Sequence, residues 1–237
     1  MAWRGGIVAD LHSSGLRGFL PKYMAASLEE KKFRVKISRV LSGEHRQENG
    51  VPQGSVLSVL LFALKINNIV KNLPSNEKFT VSLFVDDLQI GFRHPDLNTI
   101  GTTLQKVLNH LHSWTQKNGF KFSSSKTQIV HFTKLRGFHQ PPTLKLGNEE
   151  LKYNSHAKFL GLIFDQKLTW NIHLTKLKHD SQKLLGLTKM LTGLEYGATQ
   201  ESLMKIYRIY LRSKLNYGSI VYNSAGTREL RGPRRCL

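Results

Sequence analysis

Apolar residues alternate through Phe79, Val81, Leu83 and Val85, then again through Leu88, Ile90 and Phe92. This is the period of a strand, a reversal and a second strand, with Asp86 and Asp87 at the reversal. Downstream, Leu97, Ile100, Leu104, Val107, Leu108, Leu111 and Trp114 recur at helical spacing, and Asn118-Gly119 closes that helix. Upstream, Val56, Leu57, Leu60, Leu61 and Leu64 predict a second helix with one buried face, capped by Ser55. Residues 33–40 alternate apolar and basic side chains and read as one strand. Residues 1–30 read as helical, interrupted at Gly15 and Gly18, with Pro21 opening a helix through Leu28. Residues 120–122 and 128–133 read as strands, and 144–151 as a hairpin turning at Gly147-Asn148. Two further helical patterns come later: Leu174, Leu177, Leu184 and Leu187, then Leu203, Ile206, Tyr207, Tyr210 and Leu211.

Composition narrows the function classes. The chain has 237 residues, enough for one large domain or one domain with a small appendage. Its formal charge of +19 implies a polyanionic partner, nucleic acid before an acidic membrane surface. Residues 97–148 hold no Asp or Glu. The single cysteine, Cys236, excludes an internal disulfide and a cysteine-built zinc site. The amino terminus lacks a secretory pattern, and the apolar run at 56–64 ends at Lys65, too short to span a bilayer. The expected location is intracellular, nucleus or cytoplasm, with no membrane partner.

Three stretches carry candidate chemistry. Adjacent carboxylates on a hairpin tip suit Mg2+, which takes one or two carboxylates plus substrate phosphates; a solvated acidic turn reads the same way. Residues 48–57, ENGVPQGSVL, make a sharp glycine-rich turn feeding a helix. Its backbone N–H groups could meet phosphate or carbonyl oxygens, or it could be an ordinary connection. Lys126 sits at a strand junction, where a solvated lysine is equally natural. His110 and His112 are two apart on a helix and cannot share a face as a metal pair.

GVPQGSVLS at 50–58, followed after a helix by FVDD at 84–87, resembles the B and C motifs of reverse transcriptases, closest to the jockey-like group of non-LTR retrotransposons. NGFKFSSSKT at 118–127 resembles the D motif, KFLGLIFDQKLTW at 158–170 the E motif and the stretch just after it, and RSKLNYGSIVYNSA at 212–225 the later thumb region. The resemblance implies an α+β polymerase palm, a small antiparallel sheet backed by helices, followed by a helical thumb. The expected division is partial palm at 1–165, thumb-like region at 166–225 and a basic, disordered tail at 226–237. It implies an RNA-directed DNA polymerase that adds deoxynucleotides to a primer by two-metal phosphoryl transfer. Asp86 and Asp87 would hold Mg2+. Lys126 would be the general acid. Pro52, Gln53, Gly54 and Ser55 would shape the floor under template and nucleotide. Phe159, Leu160 and Gly161 would hold the primer end. Partners would be an RNA template, a DNA primer and deoxynucleotide triphosphates. Val85 stands where the family more commonly has Ala.

The family's A motif, FD followed closely by Trp, is expected to end at Trp3, with its carboxylate and the fingers missing from this chain. Asp10 is not that ligand, since it sits in the following helical segment. The chain is therefore expected to be a truncated copy, and the alternative reading is a catalytically inactive, basic nucleic-acid-binding remnant.

Overall fold

The computed structural model describes residues 4–29, 31–47, 50–51, 54–71, 73–74, 77–135, 141–193 and 196–223. Pro52, Gln53 and the 226–237 tail lie outside the described residues. Helices alternate with five small two-stranded antiparallel sheets, an α+β fold. Contacts divide the chain into two units, Met1–Thr127 with Gln140–Leu151, and Gln128–His139 with Lys152–Leu237. The β-hairpin at 156–165 falls in the same unit as the later helices.

The first unit begins with helices α1 (Arg4–Ser13) and α2 (Phe19–Leu28). One core gathers Ile7, Leu11, Met24, Leu28 and Leu61, with Leu57 and Leu64 packed against it. A second gathers Ile66, Ile69, Leu73, Val107, Leu111 and Trp114. Helix α3 (Val56–Lys71) thus serves one core with its first half and another with its second. Phe120 packs on both, stacked 5.3 Å from Trp114 and edge-on to Phe62.

Strands β5 (Phe79–Phe84) and β6 (Asp87–Phe92) pair from Phe79↔Phe92 to Phe84↔Asp87. Phe79, Val81, Leu83, Leu88 and Ile90 lie on the face packed onto the second core. Helix α4 (Leu97–Asn118) backs that core. Asp96 caps it by accepting the Asn98 and Thr99 amides, and Gly119 ends it with φ 70°. The Gln105 amide brackets the Lys145 backbone, donating to its carbonyl at 2.9 Å and accepting its N–H at 2.8 Å. This ties β7 (Lys145–Leu146) of the β7–β8 (Glu149–Glu150) hairpin to α4. His112 packs against the hairpin turn, where a Cβ on Gly147 would meet its ring at 2.8 Å.

The second unit holds β9 (His156–Phe159) and β10 (Leu162–Asp165), then α5 (Asn171–Met190), α6 (Gln200–Ile206), a π-helical stretch Tyr207–Arg212, α7 (Ser213–Asn216) and α8 (Ser219–Tyr222). Its core is Leu162, Trp170 and Tyr222, with Phe164, Leu174 and Leu177 against it. Asp165 organises the entry to α5. Its carboxylate accepts the amides of Lys167, Thr169 and Trp170 and the Thr169 hydroxyl. Burial pushes this carboxyl up, but the four hydrogen bonds outweigh it and hold it below the ordinary aspartate value.

Several expectations are corrected. Residues 33–40 are not one strand: the chain reverses after Ile37 and returns, giving β1 (Lys32–Phe33) against β4 (His45–Arg46) and β2 (Lys36–Ile37) against β3 (Val40–Leu41). Among the described residues, 120–122 and 128–133 form no ladder beyond an isolated Ile129–Tyr153 bridge: Phe120 and Phe122 pack on the second core, and the Ile129 and Thr133 amides donate singly to the Lys152 and Gln166 carbonyls. Val56 and Leu60 are 85% and 61% exposed, since α3 turns Ser58 and Lys65 inward instead. Tyr207 and Tyr210 are exposed, the wider π-helical winding leaving Leu211 as the buried residue of its stretch. Among the described residues, no helix is long and apolar enough to cross a membrane.

The inward Lys65 is 3% exposed and meets Asp10 at 2.9 Å, joining α3 to α1. The contact is an ion pair without hydrogen-bond alignment, for the buried Asp10 Oδ2 accepts no hydrogen bond among the described residues. Removing one partner strands the other charge out of water. Asp10→Ala should lower first-unit stability by about 3–5 kcal/mol, while Asp10→Leu with Lys65→Met recovers most of it, both read by urea unfolding.

His173 is buried against Tyr222, and neither ring nitrogen has a partner among the described residues. Burial, then the charge of Lys176, holds its pKa below the ordinary 6.5. The unfolded chain therefore takes the proton first. This contribution to stability is complete above about pH 6.5 and is lost as pH falls toward the depressed value. His173→Phe should flatten that acid limb in a pH series of thermal melts.

Candidate functional site

The β5–β6 register decides where the acidic pair stands. Phe84 pairs with Asp87, leaving Val85 and Asp86 as the two-residue turn. Such a turn follows strand twist when its first residue has positive φ, and Val85 has φ 54°. Valine there is a genuine outlier, because its branched Cβ crowds the backbone. Asp86 and Asp87 are both exposed, Asp86 in the turn and Asp87 at the first residue of β6. Asp87 shares its face with Phe84, Ser82 and Gln89, opposite the face on the core.

The donor set fits Mg2+ in one mode. Two exposed carboxylates offer hard oxygens and leave room for water and phosphate oxygens, which is how Mg2+ is usually bound. They do not form a cage, and no group of three or more His, Cys, Asp or Glu side chains converges among the described residues.

The glycine-rich loop precedes α3. Gly50 and Gly54 have φ 85° and 89°, Val51 packs on the first core, and Ser55 accepts the Ser58 amide through its carbonyl. Gly54 and Ser55 are exposed. Lys126 is exposed in a tight turn where the Ser123 carbonyl accepts the amides of Lys126 and Thr127. Ser124 in that turn donates to Glu149. The acidic tip, the loop and Lys126 all belong to the first unit.

Phe159, Leu160 and Gly161 belong to the second unit. Phe159 pairs with Leu162, so Leu160 and Gly161 form the β9–β10 turn, at φ 45° and 84°. Tyr217 straps it: the phenol donates to the Leu160 carbonyl at 2.6 Å, and the ring lies 3.1 Å from where a Gly161 Cβ would be. Sequence reading missed Tyr217 and Asp165. The sequence NYGS at 216–219 marks a turn, but only the fold shows that it reaches a hairpin 57 residues away.

This α+β arrangement is consistent with part of a polymerase domain, and sequence comparison gives the family. A model of the reverse transcriptase (RNA-dependent DNA polymerase) family matches residues 16–164, so the chain belongs to that family. It is 25% identical over 88% of its length to a probable RNA-directed DNA polymerase from transposon X-element of Drosophila melanogaster, covering 22% of that protein. It is 26% identical over 85% of its length to the RNA-directed DNA polymerase from mobile element jockey of Drosophila funebris, covering 22% of that protein. The chain thus spans about a fifth of the length of the curated relatives it matches. It is similar to the jockey-like non-LTR elements, as the motifs imply.

The strained tip can be tested without any assay of activity. Asparagine tolerates the left-handed region, and Val85 is largely exposed, so little packing is lost. Val85→Asn should raise the stability of the first unit by about 1 kcal/mol in denaturant unfolding.

Proposed function

We propose that this chain is the palm and thumb portion of an RNA-directed DNA polymerase, with residues 1–165 contributing palm and 166–225 thumb. Its substrates are an RNA template, a DNA primer and deoxynucleotide triphosphates. The observation that carries the reading is the β5–β6 tip, which lifts Asp86 and Asp87 clear of a packed hairpin in a chain of the reverse transcriptase family.

Asp86 and Asp87 would hold Mg2+, which when bound supplies Lewis-acid charge neutralisation for phosphoryl transfer. The protein's own part is mostly positioning. Gly54 and Ser55, with Pro52 and Gln53, form the floor beneath the templating base and incoming nucleotide. The left-handed glycines let backbone approach the substrate where a side chain would intrude. Lys126 lies on a turn held by Ser123 and supplies a proton or a positive charge to the leaving pyrophosphate. Phe159, Leu160 and Gly161 meet the primer end, with the turn fixed by Tyr217. The +19 charge provides the attraction to nucleic-acid phosphates.

A second reading, a basic nucleic-acid-binding remnant without catalysis, is favoured by the acidic tip itself. Two carboxylates are few for a two-metal site, and among the described residues no third acidic or histidine ligand joins them.

Primer extension on an RNA template with Mg2+ and deoxynucleotides separates the two. The catalytic reading expects extension by the chain and a loss of several powers of ten in rate for Asp86→Ala with Asp87→Ala. No extension by either protein, with duplex binding that fades as salt rises, overturns the catalytic reading and leaves the remnant.

A further inference from the structure

Residues 31–47 form a hairpin that neither core covers. Its two short ladders, β1–β4 and β2–β3, are parts of one excursion, joined by the Ser42 amide donating to the Val35 carbonyl. Between Leu41 and His45 the return strand has three residues where the outgoing strand has two, a β-bulge at Ser42, Gly43 and Glu44.

The pleat sorts its side chains. Ile37 faces Val40 and the Phe33 ring lies tilted against His45, so Phe33, Val35, Ile37 and Val40 share an apolar side. Lys32, Arg34 and Lys36 fall on the other side, with Arg46 opposite Lys32 and Leu41 opposite Lys36. The bulge carries Glu44 onto this side, where it meets Lys32 at 2.6 Å and Arg34 at 3.3 Å. Both cations keep more than half of their side chains exposed. The return strand ends at Arg46, four residues before Gly50 of the glycine-rich loop.

We propose that the basic face of this hairpin is a docking strip for the unpaired RNA template strand beside the copied base. This rests on the polymerase reading and adds a site to it. Lys32, Arg34 and Lys36 repeat about 6.6–6.8 Å apart along one strand, so the charges form a line. A line of cations matches the phosphates of one strand better than the two backbones of a duplex. Continuity with the loop that underlies the templating base selects the template as that strand. An acidic membrane fits less well, because the apolar and basic sides point in opposite directions, whereas an interfacial element needs cations at the rim of its apolar face.

Fluorescence anisotropy against salt tests this with two RNA–DNA probes, one blunt and one with an unpaired RNA template extension. Arg34→Ala with Lys36→Ala should weaken binding of the extended probe about tenfold. It should reduce the log–log salt slope by about 1.4, the value for two single-strand phosphate contacts, and leave the blunt probe unchanged. Glu44→Gln releases Lys32 and Arg34 and should tighten binding of the extended probe. A merely structural Glu44 would instead give a lower melting temperature and no gain in affinity. Equal weakening of both probes, no weakening of either, or no gain from Glu44→Gln would overturn the proposal while parental binding leaves the polymerase reading standing. If the parent chain binds neither probe, both fall together.

Discussion

The β5–β6 register is the constraint on which the first unit depends. Side chains on a strand alternate, so a slip of one residue would carry Val81, Leu83, Leu88 and Ile90 from the core to water. Burial of that face against α4 and the second half of α3 therefore selects a single pairing. With the pairing fixed, the reversal can fall only at Val85-Asp86, whatever the conformational preference of valine. The first half of α3 packs on the other core, and the glycine-rich loop leads into its amino end. Acidic tip and loop are thus both held by the burial of α3, one through each half of the helix.

Electrostatics are arranged around the excess of positive charge. Most Lys and Arg side chains are exposed, which limits the desolvation cost of +19 but leaves self-repulsion. The few acids are placed where they act locally. Asp10 neutralises the buried Lys65, Glu44 bridges two cations of the hairpin, and Asp180 joins α5 to α7 through Lys214 at 3.0 Å. The Lys214 hydrogen bond is the leading reason that the Asp180 carboxyl stays below its ordinary value, against the opposing effect of burial and with help from the charges of Lys214, Lys176 and His179. Glu44 differs from the other two in sitting on a surface that a polyanion could take over.

Legibility in the sequence tracks the range of the interaction. The 79–92 hairpin, the 97–118 helix and the Gly147 turn were readable because local periodicity and turn chemistry decide them. The reversal at Ser38-Arg39 was not, because a lone serine is a weak turn signal without Gly, Asn, Asp or Pro beside it, and the alternation of 33–37 runs on into it. The buried face of α3 was misread at Val56 and Leu60 because apolar residues lie on both sides of that helix, and periodicity cannot say which side meets a core. Asp86, Asp87, Gly54, Ser55, Lys126 and the 159–161 turn were named from motif order. Their supports were hidden: the Lys65 partner of Asp10 lies 55 positions away, and the Tyr217 strap is longer range still.

Backbone strain gives the last link between fold and function. Among the described residues, four two-residue turns close hairpins, and in each the first turn residue has positive φ, as strand twist demands. The β7–β8 turn satisfies this with Gly147, pressed against His112. The other three place Ser38, Val85 and Leu160 there, at φ between 45° and 55°, each costing about 1–2 kcal/mol over glycine. Those three tips are the ones proposed for the template hairpin, the acidic pair and the primer end. Two more left-handed residues, Leu168 and Trp170, are explained by the four hydrogen bonds that Asp165 accepts in that turn. At the Leu160 tip the Tyr217 phenol donates to the backbone carbonyl. Such strain persists only where the surrounding structure over-determines it, and here the strand pairing does so. At Val85 the pairing of β5 with β6 imposes that conformation, whereas the equivalent position on β7–β8 is glycine and adopts it without a Cβ to crowd the backbone.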